Sequence, residues 1–162
     1  MAIGVYPGSF DPLTIAHVEI ARAAATQLRL ERVDLAVSRR TLGKDHLDDT
    51  SVQARVDALR RAAGTRPWLG VVVTDASLIA EIAAGYDVVV MGADKWAQVV
   101  DPAWYGHDDA ARDAAVASLP RIAVAPRGGL AVPDELRLDV PEHLAEVSAT
   151  AVRAGRRDWA AE

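Results

Sequence analysis

The chain contains no cysteine, so neither a disulfide framework nor a thiolate metal site can organise it. No apolar run approaches the ~20 residues that a membrane helix needs. The first residues, MAIGVYPGSF, lack the basic and long apolar regions of a signal peptide. Positive charge is in deficit: 18 Lys and Arg stand against 23 Asp and Glu, a net charge of -5. That balance argues against a partner nucleic acid held by the overall field, though it leaves room for a local basic pocket. There is no internal repeat and no low-complexity tract. These absences together set an expectation of a cytoplasmic protein with neither nucleic acid nor membrane as partner.

What is present is the ordinary balance of a globular chain, 51% hydrophobic and 25% charged. Its 162 residues are expected to form one domain, 1–162, burying roughly two-thirds of the unfolded surface. Short, β-branched apolar runs predict strands at 3–6, 33–37, 69–73, 88–91 and 122–125, with a further short strand near 136–140. Helical spacing joins Val18, Ala21, Ala25 and Leu28, and again Val52, Val56, Leu59 and Ala63. A third stripe, Leu78, Ile79, Ile82 and Ala83, stops at Gly85. Thr50 with Gln53 reads as a capping box opening the helix that carries Arg55 and Arg60. Residues 106–118 read as an exposed helix, and a last helix is expected from Ser148 to about Arg157. The alternation predicts an α/β fold with a five-stranded parallel sheet and helices on both faces.

Ligands of such sheets sit beyond the carboxyl ends of the strands. The first of these ends carries an unusual corner, YPGSFDPLTIAH. Gly8 lets backbone come close to a ligand, Ser9 and Phe10 offer N–H groups, and the helix start that follows suits a phosphate. Thr14 and His17 are three apart, on one helical face, where hydroxyl and imidazole can serve one anion. The spacing is neither the G-x-G-x-x-G of a dinucleotide site nor a Walker loop.

GSFDPLTIAH resembles the first signature of the nucleotidyltransferase superfamily, whose corner ends in His/Thr-x-Gly-His. YPGSFDPLT is similar in particular to the phosphopantetheine adenylyltransferases. About 130 residues later VSATAVR resembles the second signature, Ile-Ser-Ser-Thr-x-x-Arg. The resemblance implies a Rossmann-like three-layer sandwich and transfer of a nucleotidyl group, most simply AMP from ATP, to a phosphorylated acceptor with release of pyrophosphate. It implies His17 on the α-phosphate and Thr14 orienting the attacking phosphate. Ser148 and Thr150, with the helix dipole behind them, would hold the β- and γ-phosphates. Arg153 would reach the leaving pyrophosphate. Lys44, in the loop SRRTLGKDH, would contact both phosphates, with Arg39 and Arg40 as competitors for that part. Mg2+ is implied with the triphosphate, held mostly by substrate oxygens and water. His46 lacks partners at metal-ligand spacing, so no structural zinc is expected.

VVVMGADKWAQVVDPAWYG adds a third corner. Gly92 and Asp94 resemble the Gly-Ala-Asp of nicotinate-mononucleotide adenylyltransferases rather than the Arg-Gly-x-Arg of the phosphopantetheine enzymes. Trp96, Trp104 and Tyr105 can either stack on an acceptor ring or cover a loop. Ala16 replaces the Gly of the first signature and Ala149 the second Ser of the later one. These departures leave two alternatives to AMP transfer: cytidylyl transfer, or a nucleotide-binding regulatory domain without turnover. A flavodoxin-like or receiver domain would need an acidic cluster at the first strand end, where Asp11 is nearly alone. Self-association into a homo-oligomer is expected by resemblance only.

Overall fold

The computed structural model describes residues 1–40 and 49–161. Lys44 and His46 lie outside the described residues. Five strands, β1 (Ile3–Pro7), β2 (Arg32–Ser38), β3 (Leu69–Thr74), β4 (Val88–Gly92) and β5 (Arg121–Ala125), form one parallel sheet in the order β3-β2-β1-β4-β5. β1 pairs with both β2 and β4, so Gly4 faces Val33 on one side and Val88 on the other. The chain builds outward from β1 to β3, then returns to lay β4 on the free side of β1. The carboxyl ends of β1 and β4 therefore flank the point where the strand order reverses, the place where open parallel sheets bind ligands.

Strand alternation divides the core into two layers. Val33, Leu35 and Val37 point to one face and pack with Val18, Ala21 and Ala24 of α1 (Ile15–Gln27) and Leu59 and Ala62 of α2 (Asp49–Ala63). Val5, Ala36, Val89 and Met91 point to the other face. There they meet α3 (Ile79–Ile82), α4 (Ala93–Val99) and Val116 of α5 (Asp109–Ala117). Each fully buried side chain such as Leu35 or Leu59 contributes about 2 kcal/mol of burial free energy. The expected three-layer α/β sandwich is the observed one, and each expected strand of the sheet is present with its ends within two residues.

Four local expectations fail for identifiable reasons. Residues 136–140 form no strand; a 3-10 turn at Asp134–Leu136 leads to a single bridge between Arg137 and Val124. Thr50 is not a cap: α2 already includes Asp49, and the Gln53 side chain donates to Asp57 at 2.8 Å instead. The stripe at 78–83 is one turn, with Leu78 outside it. The last helix, α6, spans only Ala149–Arg153, because the chain enters φ +129° at Gly155 and then continues as a 3-10 turn, Arg157–Trp159. No helix among the described residues is long and apolar enough to cross a membrane.

Candidate functional site

The corner after β1 is built around one imidazole. Thr14 caps α1: its Oγ1 accepts from the His17 backbone N–H at 3.2 Å, and His17 Nδ1 accepts from the Thr14 backbone N–H at 3.0 Å. Thr14 Oγ1 also lies 3.0 Å from Nδ1. This reciprocal cap fixes more than a helix end. A nitrogen that accepts a backbone N–H carries no proton, so the neutral ring must hold its proton on Nε2. The ring is steadied by Phe10, edge-on at 5.0 Å between centroids, and by Tyr6 at 6.0 Å. Phe10 takes a left-handed backbone, φ +47°, a conformation that costs about 1 kcal/mol or more for a side-chain-bearing residue. Its ring folds back over Gly8, where a Cβ would come within 2.8 Å of it.

Burial, and next the positive charge of Arg127, push the His17 pKa down to about 4, while Asp94 opposes them. The imidazole is neutral at pH 7, a hydrogen-bond donor without charge. The folded value lies below the ordinary 6.5, so the unfolded chain binds the proton first as pH falls. His17 therefore leaves stability intact above about pH 6.5 and removes up to about 3 kcal/mol of it by pH 4. Denaturant unfolding of His17→Gln should lose this part of the acid sensitivity. A difference curve between variant and parent that stays flat over that range would contradict the neutral, buried imidazole.

The C-terminal segment closes on this corner. Ala161 donates its N–H to the Leu13 carbonyl at 2.9 Å, and Thr14 and Ala160 form an antiparallel bridge. Ala16, the residue that replaces the signature Gly, is buried in a cluster with Leu144 and Val147; its methyl belongs to the joint between the two segments. Ser148 caps α6, its Oγ accepting from Ala151 N–H at 3.0 Å. Arg153 donates one guanidinium N–H to the backbone carbonyl of Asp11 and another to Thr150 Oγ1 at 3.2 Å. Two segments separated by 131 positions, from His17 to Ser148, thus meet at Asp11 and Thr14.

Across the sheet, Gly92 caps α4 and Asp94 lies in its first turn. Arg127, just past β5, was not singled out by any motif, yet its charge and that of Asp94 are both felt at His17 and Tyr6. Burial first, then Asp94, raises the Tyr6 phenol well above its usual range. The Arg127 side chain makes no hydrogen bond or ion pair with the described residues. The only clue to it in the sequence was its place, one residue beyond Ala125 and Pro126 at a strand's carboxyl end.

A cleft of about 520 Å³ opens beside the corner, bordered by Gly8, Ser9, Arg55 and Trp104 and floored by apolar residues such as Ile82 and Val99. Two expected site residues, Thr14 and Trp96, sit differently from the expectation, and one helix dipole is weaker. Thr14, expected to face a ligand, is fully buried, with its hydroxyl spent on His17. Trp96 packs into the core against the α4 face of the sheet, not along the cleft, whereas Trp104 is 60% exposed at its edge. The dipole behind Ser148 is that of a five-residue helix, so it supplies little of the charge expected of it.

The protein-family comparison decides what this arrangement belongs to. The model described as cytidylyltransferase-like matches residues 5–155, from β1 through α6. The chain belongs to the cytidylyltransferase-like family. Its relatives include a phosphopantetheine adenylyltransferase of Rhizorhabdus wittichii, 34% identical over 94 residues, covering 57% of this chain and 53% of that one. A probable nicotinate-nucleotide adenylyltransferase of Methylorubrum extorquens is 42% identical over 60 residues, covering 34% of this chain and 32% of that one. This cytidylyltransferase-like chain thus spans about half, or less, of the length of these curated relatives. Among solved structures, the Plasmodium falciparum nicotinic acid mononucleotide adenylyltransferase complexed with NaAD matches with a TM-score of 0.64 and 12% identity. That match covers 94% of this chain and 82% of that one, and it establishes a shared fold.

Among the described residues no group of three or more His, Cys, Asp or Glu side chains is placed to bind a metal.

Proposed function

We propose that this protein transfers AMP from ATP to a small phosphorylated acceptor, of the nicotinate-mononucleotide or phosphopantetheine kind, and releases pyrophosphate. The observation that carries the proposal is the seat of the Arg153 guanidinium on the Asp11 carbonyl, which puts the second signature beside the first at the β1–β4 switch point. An acceptor phosphate oxygen attacks the α-phosphorus, the bond from that phosphorus to the bridging oxygen breaks, and the electron pair leaves on pyrophosphate. The chemistry needs no covalent intermediate, only positioning and relief of growing negative charge.

His17 supplies such relief as a donor from Nε2 to a non-bridging oxygen of the α-phosphate. Thr14 is then a positioning residue, holding Nδ1 so that only Nε2 bears the proton. Gly8, Ser9 and Phe10 offer backbone at the same corner, and Gly92 and Asp94 face the nucleoside. Ser148, Thr150 and Arg153 receive the β- and γ-phosphates, with the planar Arg fork matched to the leaving group. Lys44 belongs to the same proposal as a further phosphate contact. Trp104 stands where an acceptor's non-reacting part would lie. Magnesium accompanies the triphosphate as part of the substrate. A cytoplasmic setting, where ATP is available, and a homo-oligomeric state complete the reading.

The test is pyrophosphate release from MgATP or MgCTP with each acceptor, with the product identified by mass. The expected result is release with ATP and one acceptor, giving the corresponding adenylylated product. Release with CTP alone would make it a cytidylyltransferase. Nucleotide binding by calorimetry with no turnover under any condition would make it a binding domain.

A further inference from the structure

The cleft beside the first corner is charged in one sense only. Among the described residues, Arg40, Arg55 and Lys95 line it and no carboxylate does, in a chain whose net charge is -5. Arg40 and Lys95 are exposed on its margins. Arg55, reaching from α2, is different: its side chain is only 13% exposed.

A buried guanidinium normally finds acceptors along its whole fork. Even the half-exposed Arg32, 42% accessible, donates to both oxygens of Asp34 at 2.6 and 3.3 Å. Arg55 does not. Its one ion pair among the described residues is a 3.5 Å contact from Nη2 to Asp11, a carboxylate that is itself 55% exposed. Its Nε is fully buried and has no partner. The cation therefore sits largely desolvated beside Gly8 and Ser9, with most of its donors unspent on the described residues, on the wall of a cleft where those residues offer it no other anion.

We propose that Arg55 binds the phosphate of the acceptor, resting on the AMP-transfer reading given above. A phosphate monoester carries two charges and several oxygens, enough to fill the free edge of the fork while its apolar or weakly polar remainder lies over Ile82 and Val99 toward Trp104. The acceptor phosphate is the group that must be delivered to the α-phosphorus, and the cleft opens at the corner carrying Gly8 and Ser9. Arg55 is thus assigned to the attacking side of the reaction, and Arg153 to the leaving side.

Arg55→Met, Arg55→Lys and Asp11→Asn would be compared with the parent for the acceptor KM, the ATP KM and, by calorimetry without ATP, binding of 4′-phosphopantetheine and of nicotinate mononucleotide. In Arg55→Met the acceptor constants should weaken by about 10- to 100-fold, the loss of a charge-assisted pair, with ATP constants changed less than about threefold. Arg55→Lys keeps the charge but not the fork and should fall between. Asp11→Asn should leave acceptor binding within about threefold, since the ion pair is not what Arg55 is for. A folded Arg55→Met with unchanged acceptor constants would overturn the assignment. So would equal losses for acceptor and ATP, or an Asp11→Asn variant that reproduces the Arg55→Met loss. If Arg55→Met does not fold, an Arg55→Lys variant with parental acceptor constants overturns it equally. If the parent transfers nothing, AMP transfer fails as the function, while calorimetry of parent and variants with the two phosphorylated compounds still decides Arg55.

Discussion

Replacing His17 by alanine should lower kcat for AMP transfer by roughly 10²- to 10³-fold, the usual loss for one preorganised donor to a developing oxyanion. The ATP KM should move much less. The physical ground is the tautomer. Nδ1 is occupied by the Thr14 N–H at 3.0 Å, and burial together with Arg127 holds the ring neutral at pH 7. The ring can only donate, from Nε2, and that donation strengthens as charge builds on the α-phosphate oxygens. Cutting the side chain also removes half of the reciprocal cap, at a stability cost of about 1 kcal/mol. That is too little to unfold the domain, so a thermal scan separates the two effects. A folded variant that keeps more than about a tenth of parental kcat would remove His17 from the chemistry.

The second large effect lies away from the cleft. Gly70→Ala should destabilise the fold by about 3–5 kcal/mol. In β3, Gly70 faces Asp34 of β2 across the ladder, and a Cβ at position 70 would lie 2.1 Å from the Asp34 Oδ1 and 3.1 Å from the Arg32 Cδ. Asp34 is 3% exposed and has no room to retreat. It accepts from Arg32 Nε at 2.6 Å and from Tyr86 Oη at 2.9 Å. Pushing the carboxylate aside would strip the hydrogen bonds from both Arg32 and Tyr86 off a buried charge at once. For a chain of this length such a loss lowers the thermal midpoint by about 10 °C.

An independent readout exists in Tyr86. Burial first, and then its hydrogen bond to Asp34, push that phenol up to about 12. Gly70→Ala should bring its ultraviolet titration back toward the ordinary range. Gly70→Ala combined with Asp34→Ala should recover part of the loss, because the two substitutions share one cause. A Gly70→Ala protein within about 1 kcal/mol of the parent would mean that the ladder can shift to admit the methyl.

Most of the sheet was legible because its strands are buried on both faces. Runs such as VDLAV and VVVM are apolar at every position but Asp34 and rich in valine, and short buried strands leave few other readings. The helices of the first face were legible through their stripes. What failed did so where a decision was tertiary. Leu136–Val140 has strand-like composition, but Pro133 and Pro141 bracket it and it finds only one partner, Arg137 against Val124. The last helix looked longer because Gly155 is a single residue whose effect depends on the conformation it adopts.

The site divided in the same way. The corner residues stand out by their spacing and by the resemblance to the first signature, and the meeting of the two signatures follows from topology once the sheet is known. Thr14 was placed on the right face but at the wrong depth, since nothing in a spacing of three tells a cap from a ligand. Arg127 and Asp34 carried no pattern at all. Each matters through neighbours contributed by other elements, His17 in one case and Arg32 with Tyr86 in the other.

The most direct measurement is a crystal structure of the protein with magnesium and a non-cleavable ATP analogue bridged by methylene between the α- and β-phosphates. The expected density has the α-phosphate about 3 Å from His17 Nε2. The β- and γ-phosphates should lie against Thr150 and Arg153, with the guanidinium turned from the Asp11 carbonyl to the ligand. A triphosphate bound elsewhere on the sheet, or one touching only the first corner with Arg153 still seated on Asp11, would contradict it.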